Sequence, residues 1–294
     1  MILGVVIEGM RPRQWAKNVF VLAPVLFALK LSDIHSILGA LVAAALFCMA
    51  AGAVYLVNDI VDREADKHHP EKCNRPVASG RLPVAAAWFA AALLVLSAVS
   101  LACWWRAQLA VVIATFFAIN LAYSFRLKRV PGFDVVLISF GFILRVVGGA
   151  LAIEVPISWW ILICTFLLSL YLGLGKRLHE LLLLGERGIQ ARAALKGYRL
   201  GPTSLLFRLT GGAAAMVFAL YTLSPRAAEN FGTRGLILTV PFVVAGLWRF
   251  ARLTRNSARA TSPTEALLSD WPVLLSAALW GIAATAIIYL PRAL

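Results

Sequence analysis

Residues 38–66 read LGALVAAALFCMAAGAVYLVNDIVDREAD, and this stretch joins two opposite kinds of sequence. Its first twenty residues carry no charge and are long enough to cross the hydrocarbon core of a membrane, which takes about 20 apolar residues in a helix. Its last nine residues hold four of the 14 acidic residues of the chain. The stretch therefore predicts a membrane-spanning helix that ends in a concentrated group of carboxylates.

The rest of the chain repeats the apolar half of this pattern. Of its 294 residues, 61% are hydrophobic and 14% are charged, whereas a soluble domain carries about 25% charged residues. The composition predicts an all-α, polytopic membrane protein with one domain over residues 1–294, beginning with an interfacial helix over residues 1–15. Nine apolar segments predict nine transmembrane helices, near residues 18–31, 37–57, 84–105, 107–125, 134–153, 157–175, 205–223, 236–250 and 272–290.

Basic residues are distributed unevenly between the two sides of these segments. With the N-terminus placed in the cytoplasm, 22 of the 28 Lys and Arg residues fall on the cytoplasmic side and five on the other. This bias follows the positive-inside rule and predicts a multi-pass protein of the plasma (inner) membrane. Topology thus explains the net charge of +14, which does not indicate nucleic-acid binding. The four cysteines are scattered and predict neither a disulfide framework nor a zinc site.

The acidic motif has the spacing of a helix face. Asn58, Asp62 and Asp66 recur every four residues, and Asp59 lies about 100° further round. Three carboxylates and an amide offer hard oxygen ligands, which suit a Mg²⁺ ion that bridges to substrate phosphates. The alternative is a solvated helix end, with Asp62 and Asp66 paired to Arg63 and Lys67. The metal interpretation is favoured because carboxylates at this spacing repel one another in the absence of a cation.

Basic residues accompany the acidic motif on the predicted cytoplasmic side. They are Lys17 in RPRQWAKN, Arg75 in KCNRPVASGRLP and Lys128 in YSFRLKR. Metal ligands with Lys and Arg around them suit a Mg²⁺–diphosphate, because the basic side chains take the charge that the metal leaves. For any one of these basic residues, attraction to anionic lipid is a sufficient explanation.

Arg145 is the only basic residue deep inside a predicted span, about 16 Å from its beginning. An ionised residue at such depth is costly and favours a role in lining the substrate cavity. The alternative is a structural pair with a polar group on a neighbouring helix. Gly148 and Gly149 beside it indicate a close helix approach or space for a ligand.

Together, these motifs resemble the UbiA superfamily of intramembrane prenyltransferases. The residues that carry the resemblance are NDIVDREAD (58–66), NRPVASG (74–80) and YSFRLKR (123–129). The resemblance implies nine helices around a lipid-accessible cavity, an active site at the cytoplasmic side and Mg²⁺ bound to a diphosphate. Segments 58–83 and 176–204 are then cytoplasmic loops or helix extensions over that site.

The sequence departs from most of the family at the end of span six. A second aspartate motif is usual there, but this chain reads LYLGLGKRLHEL, with Lys176 and Arg177. Within the superfamily, RPRQWAKN, GFILRVVGG and KRLHEL resemble the branch that transfers a 5-phosphoribosyl group from 5-phosphoribosyl 1-diphosphate to decaprenyl phosphate. The resemblance implies a Mg²⁺–diphosphate on Asp62 and Asp66, and a second anion, bound without metal, on Lys176.

The motifs and the family resemblance together give three sets of candidate residues. The catalytic candidates are Asp62, Asp66, Lys17 and Lys176. The metal ligands are Asn58, Asp59, Asp62 and Asp66. The substrate-binding candidates are Lys17, Arg75, Tyr123, Lys128, Arg145, Tyr171, Lys176, Arg177 and Tyr198.

Several alternatives stay open at this point. Tyr123 and Tyr171 suit a membrane-interface belt as well as a substrate site, and Tyr198 lies in a loop whose charge also suits membrane adhesion. One alternative function is transfer of a prenyl group from a prenyl diphosphate to an aromatic or lipid acceptor. Another is transport of a polyprenyl-linked solute, which the position of the ligands at helix ends disfavours. The sequence allows a homo-oligomer and leaves the lipid chain length and the stereochemistry undetermined.

Overall fold

The protein is described by a computed structural model that covers residues 2–68, 72–125, 127, 130–191, 195, 197–256 and 269–293. Every regular element in these ranges is helical, which confirms the all-α prediction. The 3-10 helices are Pro12–Leu22, Lys72–Asn74 and Gly235–Thr239. The α-helices are α1 Ile2–Gly9, α2 Ala23–Phe27, α3 Ile34–Val61, α4 Arg63–Lys67, α5 Val84–Trp105, α6 Ala107–Phe125, α7 Phe133–Ala152, α8 Trp159–Ala191, α9 Leu200–Leu223, α10 Pro225–Phe231, α11 Val240–Arg255 and α12 Trp271–Ala293.

Eight helical segments in the described residues are long and apolar enough to cross a membrane, and they correspond to eight of the nine predicted spans. The remaining segment, 18–31, does not form one helix. It is divided between the 3-10 helix Pro12–Leu22 and the five-residue α2, and Leu29 has a left-handed backbone with φ 63°. Pro24 explains the division, because a proline inside an α-helix clashes with the carbonyl of the residue four positions earlier.

Helix α3 organises the first of two compact units, which contains residues 1–130 and 140–157. Its apolar run packs against α5, α6 and the 3-10 helix Pro12–Leu22. Ala40, Ala43 and Ala50 on α3 are completely buried. Such small side chains let neighbouring helices approach closely, which is how membrane helices gain packing energy in the absence of a water-driven effect.

Helix α3 carries the acidic motif out of its apolar run with only a small interruption. The helix ends at Val61, Asp62 lies at the junction, and α4 begins at Arg63. The backbone N–H of Asp62 still bonds the Asn58 carbonyl at 2.9 Å, and that of Asp66 bonds the Asp62 carbonyl at 2.8 Å. Because these are the bonds of an α-helix, the predicted stacking of Asn58, Asp62 and Asp66 along one face is preserved.

The second unit contains residues 131–139 and 158–294. Here α8 packs against α9 and α11, and α11 packs against α12. Helix α8 has 33 residues and is therefore about 50 Å long, well beyond the ~30 Å of a hydrocarbon core. The span predicted to end near residue 175 thus continues as one helix to Ala191, through the first part of segment 176–204.

Candidate active site

Two buried carboxylates of the first unit share a single guanidinium. Asp59 and Asp66 are seven residues apart, which is two helical turns, so both face the same side of α3 and α4. Their exposed fractions are 1% and 4%. Arg75 Nη1 lies 2.5 Å from Asp66 Oδ2 and 3.4 Å from Asp59 Oδ1. Arg75, which was predicted to bind substrate, therefore bridges two of the predicted metal ligands in the structure.

Arg11 is the second cation on this acidic face. Its guanidinium donates to Asp59 Oδ1 and lies over the Tyr55 ring, 5.1 Å from the ring centroid. The backbone of Arg11 is left-handed, with φ 53° and ψ 70°, which for a non-glycine residue costs on the order of 1–2 kcal/mol. The bond to a completely buried carboxylate offsets this strain and explains why the chain turns at Arg11, between α1 and the 3-10 helix.

The local pairing that the sequence offered as an alternative does not involve Asp66 and Lys67. Lys67 Nζ binds Glu64 at 2.9 Å, and Arg63 Nη1 lies 3.9 Å from the same carboxylate. These three side chains are on the exposed side of α4, whereas Asp66 faces inward and is bound by Arg75. Asp59 and Asp66 are thus neutralised by residues distant in the sequence.

The donor atoms of the acidic face suit a hard divalent cation. Asn58 Oδ1 and Asp59 Oδ2 are buried, and neither has a hydrogen-bond partner within the described residues. Unpaired buried oxygens are rare because they lose their hydration without replacement, and a cation would satisfy both. In the described residues, no three His, Cys, Asp or Glu side chains are grouped closely enough to form a metal site. At the acidic face, Arg75 occupies the position between Asp59 and Asp66. The metal assignment of Asn58, Asp59, Asp62 and Asp66 stays a prediction.

Arg145 lies nearby in the same unit and is 5% exposed. Its Nε donates to Asn18 Oδ1 at 2.6 Å and its Nη1 donates to the Gly141 carbonyl at 3.0 Å. The guanidinium also lies over the rings of Phe116 and Phe142, 4.6 and 5.5 Å from their centroids. Among the described residues no carboxylate pairs with Arg145. Asn18 is a polar partner of the kind expected if Arg145 had only a structural role. Because its amide is neutral, however, it does not compensate the positive charge of Arg145.

A close backbone contact positions Asn18 beside Arg145. Gly149 follows Arg145 by one helical turn on α7, and a Cβ at Gly149 would overlap the Val21 carbonyl. The predicted close approach at this glycine is therefore present, between α7 and the 3-10 helix Pro12–Leu22. Because Asn18 lies one 3-10 turn before Val21, the same contact aligns its side chain with Arg145.

Lys17 is a half-buried cation of the same group, in the 3-10 helix that precedes the membrane-spanning helices. Burial, together with the positive charges of Arg145 and Arg11, lowers the pKa of Lys17 to about 8. Loss of hydration and like charges both favour the neutral amine. An anion at this position would favour the charged amine by direct attraction and so oppose both effects, which makes Lys17 suited to binding phosphate.

We expect the affinity of this group for inorganic diphosphate to fall above pH 8. Lys17 must be protonated to attract an anion, and its charged fraction falls about tenfold for each pH unit above its pKa. A phosphate ligand does not cause this loss, because its second ionisation, with a pKa of about 6, is complete by then. The dissociation constant of diphosphate, measured between pH 7 and 9.5, tests this expectation. The Lys17→Arg protein, whose guanidinium stays charged, should lose the pH dependence; an unchanged profile would contradict the assignment.

Tyr55, Cys48, Asn18 and Arg11 belong to this region but were not among the predicted site residues. Two of them carry a readable signal. Cys48, Tyr55, Asp59, Asp62 and Asp66 recur along α3 and its continuation into α4 at intervals of seven, four, three and four residues, which is the spacing of one helix face. Asn18 and Arg11 lack such a signal, since their partners are 127 and 48 residues away.

A separate polar network lies in the second unit around Asp134, which is completely buried. Arg177 Nε donates to Asp134 Oδ2 at 2.6 Å, and Arg177 Nη1 donates to Glu180 at 2.7 Å. The Tyr198 hydroxyl donates to Asp134 Oδ1 and accepts from the Gly132 N–H at 2.9 Å. Burial and the Asp134 carboxylate raise the pKa of Tyr198. These bonds hold Arg177 and segment 197–199 onto the start of α7. The assignment of Arg177 and Tyr198 to substrate binding stays a prediction.

The other predicted residues have different environments. Tyr171 lies in a hydrophobic core, stacked on Phe207 with ring centroids 4.4 Å apart, and its hydroxyl donates to the Leu247 carbonyl at 2.7 Å. This packing gives Tyr171 a structural role. Lys176 and Tyr123 are half-buried, the first in the second unit and the other in the first. Lys128 lies outside the described residues.

Comparisons with known proteins identify the family and the fold of the chain. Residues 19–269 match the sequence profile of the UbiA prenyltransferase family. The chain is 38% identical to a decaprenyl-phosphate phosphoribosyltransferase of Corynebacterium glutamicum, over 93% of this chain and 83% of that protein. It is 34% identical to the protein of the same name from Mycolicibacterium smegmatis, over 90% and 86%. The fold is similar to that of a UbiA homologue from Archaeoglobus fulgidus bound to GPP and Mg²⁺, with a TM-score of 0.70, 17% identity and coverage of 97% and 99%.

Proposed function

We propose, since the chain belongs to the UbiA prenyltransferase family and is a transferase of that family, that it is a phosphoribosyltransferase. The reaction is transfer of the 5-phosphoribosyl group of 5-phosphoribosyl 1-diphosphate to a polyprenyl phosphate such as decaprenyl phosphate. The observation that carries the proposal is the asymmetry of charge between the end of α3 and the middle of α8. Carboxylates follow α3, whereas Lys176 and Arg177 occupy the place on α8 where a second aspartate motif is usual in the family. The names of the relatives at 34–38% identity support the same activity.

Asn58, Asp59, Asp62 and Asp66 would hold Mg²⁺ in this enzyme. When bound, the ion supplies positive charge to the oxygens of the diphosphate. The unpaired Asn58 Oδ1 and Asp59 Oδ2 support this assignment, and so does the Mg²⁺ in the structure of the Archaeoglobus fulgidus protein. Arg75 and Arg11 already lie against the same carboxylates, so each is within reach of an anion that binds there.

The chemistry requires stabilisation of charge more than proton transfer. The bond between ribosyl C1 and the diphosphate oxygen breaks, and that oxygen keeps the electron pair. A bond then forms between C1 and an oxygen of the lipid phosphate, which is already ionised at pH 7. No general base is needed, so the contribution of Lys17, Arg75 and Arg11 is to bind and orient the phosphates and to stabilise the departing oxygens. We assign Lys176 to the acceptor phosphate.

The proposed reaction places the enzyme at the inner face of the plasma membrane, with its N-terminus in the cytoplasm. The bias of basic residues toward that side supports this orientation. The product is a lipid-linked pentose phosphate, which is suited to serve as a precursor of a donor for the synthesis of cell-envelope glycans, including arabinan.

A transfer assay tests the proposed function. Detergent-solubilised enzyme is supplied with Mg²⁺, radiolabelled 5-phosphoribosyl 1-diphosphate and decaprenyl phosphate. We expect label to pass into the organic phase and a chelator to abolish the transfer. Transfer from a labelled prenyl diphosphate, with none from the phosphoribosyl donor, would instead identify a prenyltransferase. Release of diphosphate, measured in parallel, separates group transfer from transport of an unchanged lipid.

A further inference from the structure

We propose that Asn18 is a positioning residue that presents Arg145 as an uncompensated cation to a phosphate group of a substrate. This inference rests on the proposed function, because it assumes that the substrate is phosphorylated. The group that Arg145 would bind is a phosphate or diphosphate, carried either by the soluble donor or by the lipid acceptor.

Asn18 is 3% exposed and uses both ends of its amide. Oδ1 accepts from Arg145 Nε at 2.6 Å, and Nδ2 donates to Cys48 Sγ at 2.9 Å. An arginine has no hydrogen-bond acceptor, so the oxygen of the amide must face Arg145 and the nitrogen must face the sulfur. The contact with Cys48 therefore holds the amide in the one orientation that can bind Arg145.

Arg145 retains donors for a further ligand. A guanidinium has five N–H groups, and in the described residues its Nη2 makes no hydrogen bond. Phe116 and Phe142 lie against its face, which restricts the planar group to one orientation. A pre-oriented guanidinium with an unused edge is suited to a bidentate bond with phosphate oxygens.

The choice of an amide in place of a carboxylate is the central observation. A buried guanidinium is most readily stabilised by a carboxylate, and an aspartate has the same shape as Asn18. The amide satisfies the hydrogen bond but leaves the full positive charge in place. Lys17, the preceding residue, and Arg11 add to the positive potential around Arg145. Asp59, which pairs with Arg11, offsets only one of these three positive charges. The group thus has a net positive charge, which a phosphate would neutralise.

The Asn18→Asp substitution separates this role from a purely structural one. A carboxylate at this position keeps the shape, still accepts from Arg145 and adds an ion pair, and the Cys48 thiol can donate to it in place of accepting from the amide. We therefore expect a melting temperature equal to that of the wild type or higher. Because the charge of Arg145 is then neutralised within the protein, we expect the affinity for the phosphate ligand to fall about 10- to 100-fold. A structural role alone predicts unchanged affinity, and that result would overturn the proposal.

Binding, rather than turnover, is measured, with three probes: inorganic diphosphate, 5-phosphoribosyl 1-diphosphate and decaprenyl phosphate. Reduced binding of only the phosphoribosyl donor assigns Arg145 to the donor, and reduced binding of only the lipid assigns it to the acceptor. Arg145→Gln should give the same loss, and adding Asn18→Asp to it should give no further loss. If Asn18→Asp does not fold, unchanged binding of all three probes by Arg145→Gln overturns the inference. Wild-type enzyme that binds diphosphate through Arg145 but transfers no phosphoribosyl group would refute the proposed function alone.

Discussion

The Asp62→Asn enzyme is expected to lose about 1,000-fold in the rate of phosphoribosyl transfer, together with its response to Mg²⁺. Asp62 lies at the junction of α3 and α4, stacked between Asn58 and Asp66, and is more exposed than Asp59 or Asp66. Replacing one carboxylate by an amide removes a negative charge from the metal ligands, and several kcal/mol of transition-state stabilisation correspond to a loss of this size. Initial rates over a series of Mg²⁺ concentrations measure the effect.

Glu64 provides a matched control on the same short helix. Its side chain is on the exposed side of α4 and pairs with Lys67 at 2.9 Å, so Glu64→Gln changes the charge of α4 by the same amount as Asp62→Asn changes that of the junction. We expect the Glu64→Gln enzyme to keep the rate and the Mg²⁺ response of the wild type. An Asp62→Asn enzyme that behaves in the same way would refute the metal assignment.

Removal of Arg75 is expected to destabilise the metal-free protein and to strengthen its binding of divalent cations. In the Arg75→Gln protein, Asp66 loses the guanidinium that binds it at 2.5 Å, and Asp59 keeps only Arg11. Breaking a buried ion pair by removal of one partner costs about 3 kcal/mol, because the remaining carboxylate is left without compensation. The same change removes a cation that competes for the carboxylates, so Mn²⁺, used as a paramagnetic substitute for Mg²⁺, should bind more tightly.

Melting temperatures without metal, and Mn²⁺ titrations followed by electron paramagnetic resonance, measure the two effects separately. Arg81 is the matched control, since it follows Arg75 by six residues but pairs with the exposed Glu8 at 2.6 Å. The Arg81→Gln protein should retain the melting temperature and Mn²⁺ affinity of the wild type. If the Arg75→Gln protein bound Mn²⁺ no more tightly than the Arg81→Gln protein, the Arg75 guanidinium and the metal ion would not compete for the same carboxylates.

The parts of the fold that follow from local pattern could be predicted from the sequence. Uncharged runs identified the long helices, and the four-residue spacing of Asn58, Asp62 and Asp66 predicted their stacking, which the backbone bonds across the α3–α4 junction preserve. Segment 18–31 was wrongly predicted as one helix, because its apolar composition outweighed Pro24. Composition measures transfer into lipid, whereas helix continuity depends on backbone hydrogen bonds, which a proline interrupts.

The contacts that complete the site depend on long-range packing. Arg75 was predicted from its position near the acidic motif, but Arg11 reaches Asp59 only because the chain turns at a left-handed residue. Asn18 meets Arg145 through the approach of two segments far apart in the sequence. Arg177 and Tyr198 were predicted to bind substrate from their positions in the segment after span six, but their bonds to the buried Asp134 could not be read from the sequence. A sequence pattern identifies a polar side chain but does not show whether another residue already satisfies it.

The contact between Gly149 and Val21 gives one glycine a role in a site that it does not touch. Any side chain at position 149 would force the 3-10 helix Pro12–Leu22 away from α7, and Lys17 and Asn18 would move with it. A library of all substitutions at position 149, scored by the transfer assay, should therefore record this glycine as intolerant of every side chain, as if it were part of the chemistry.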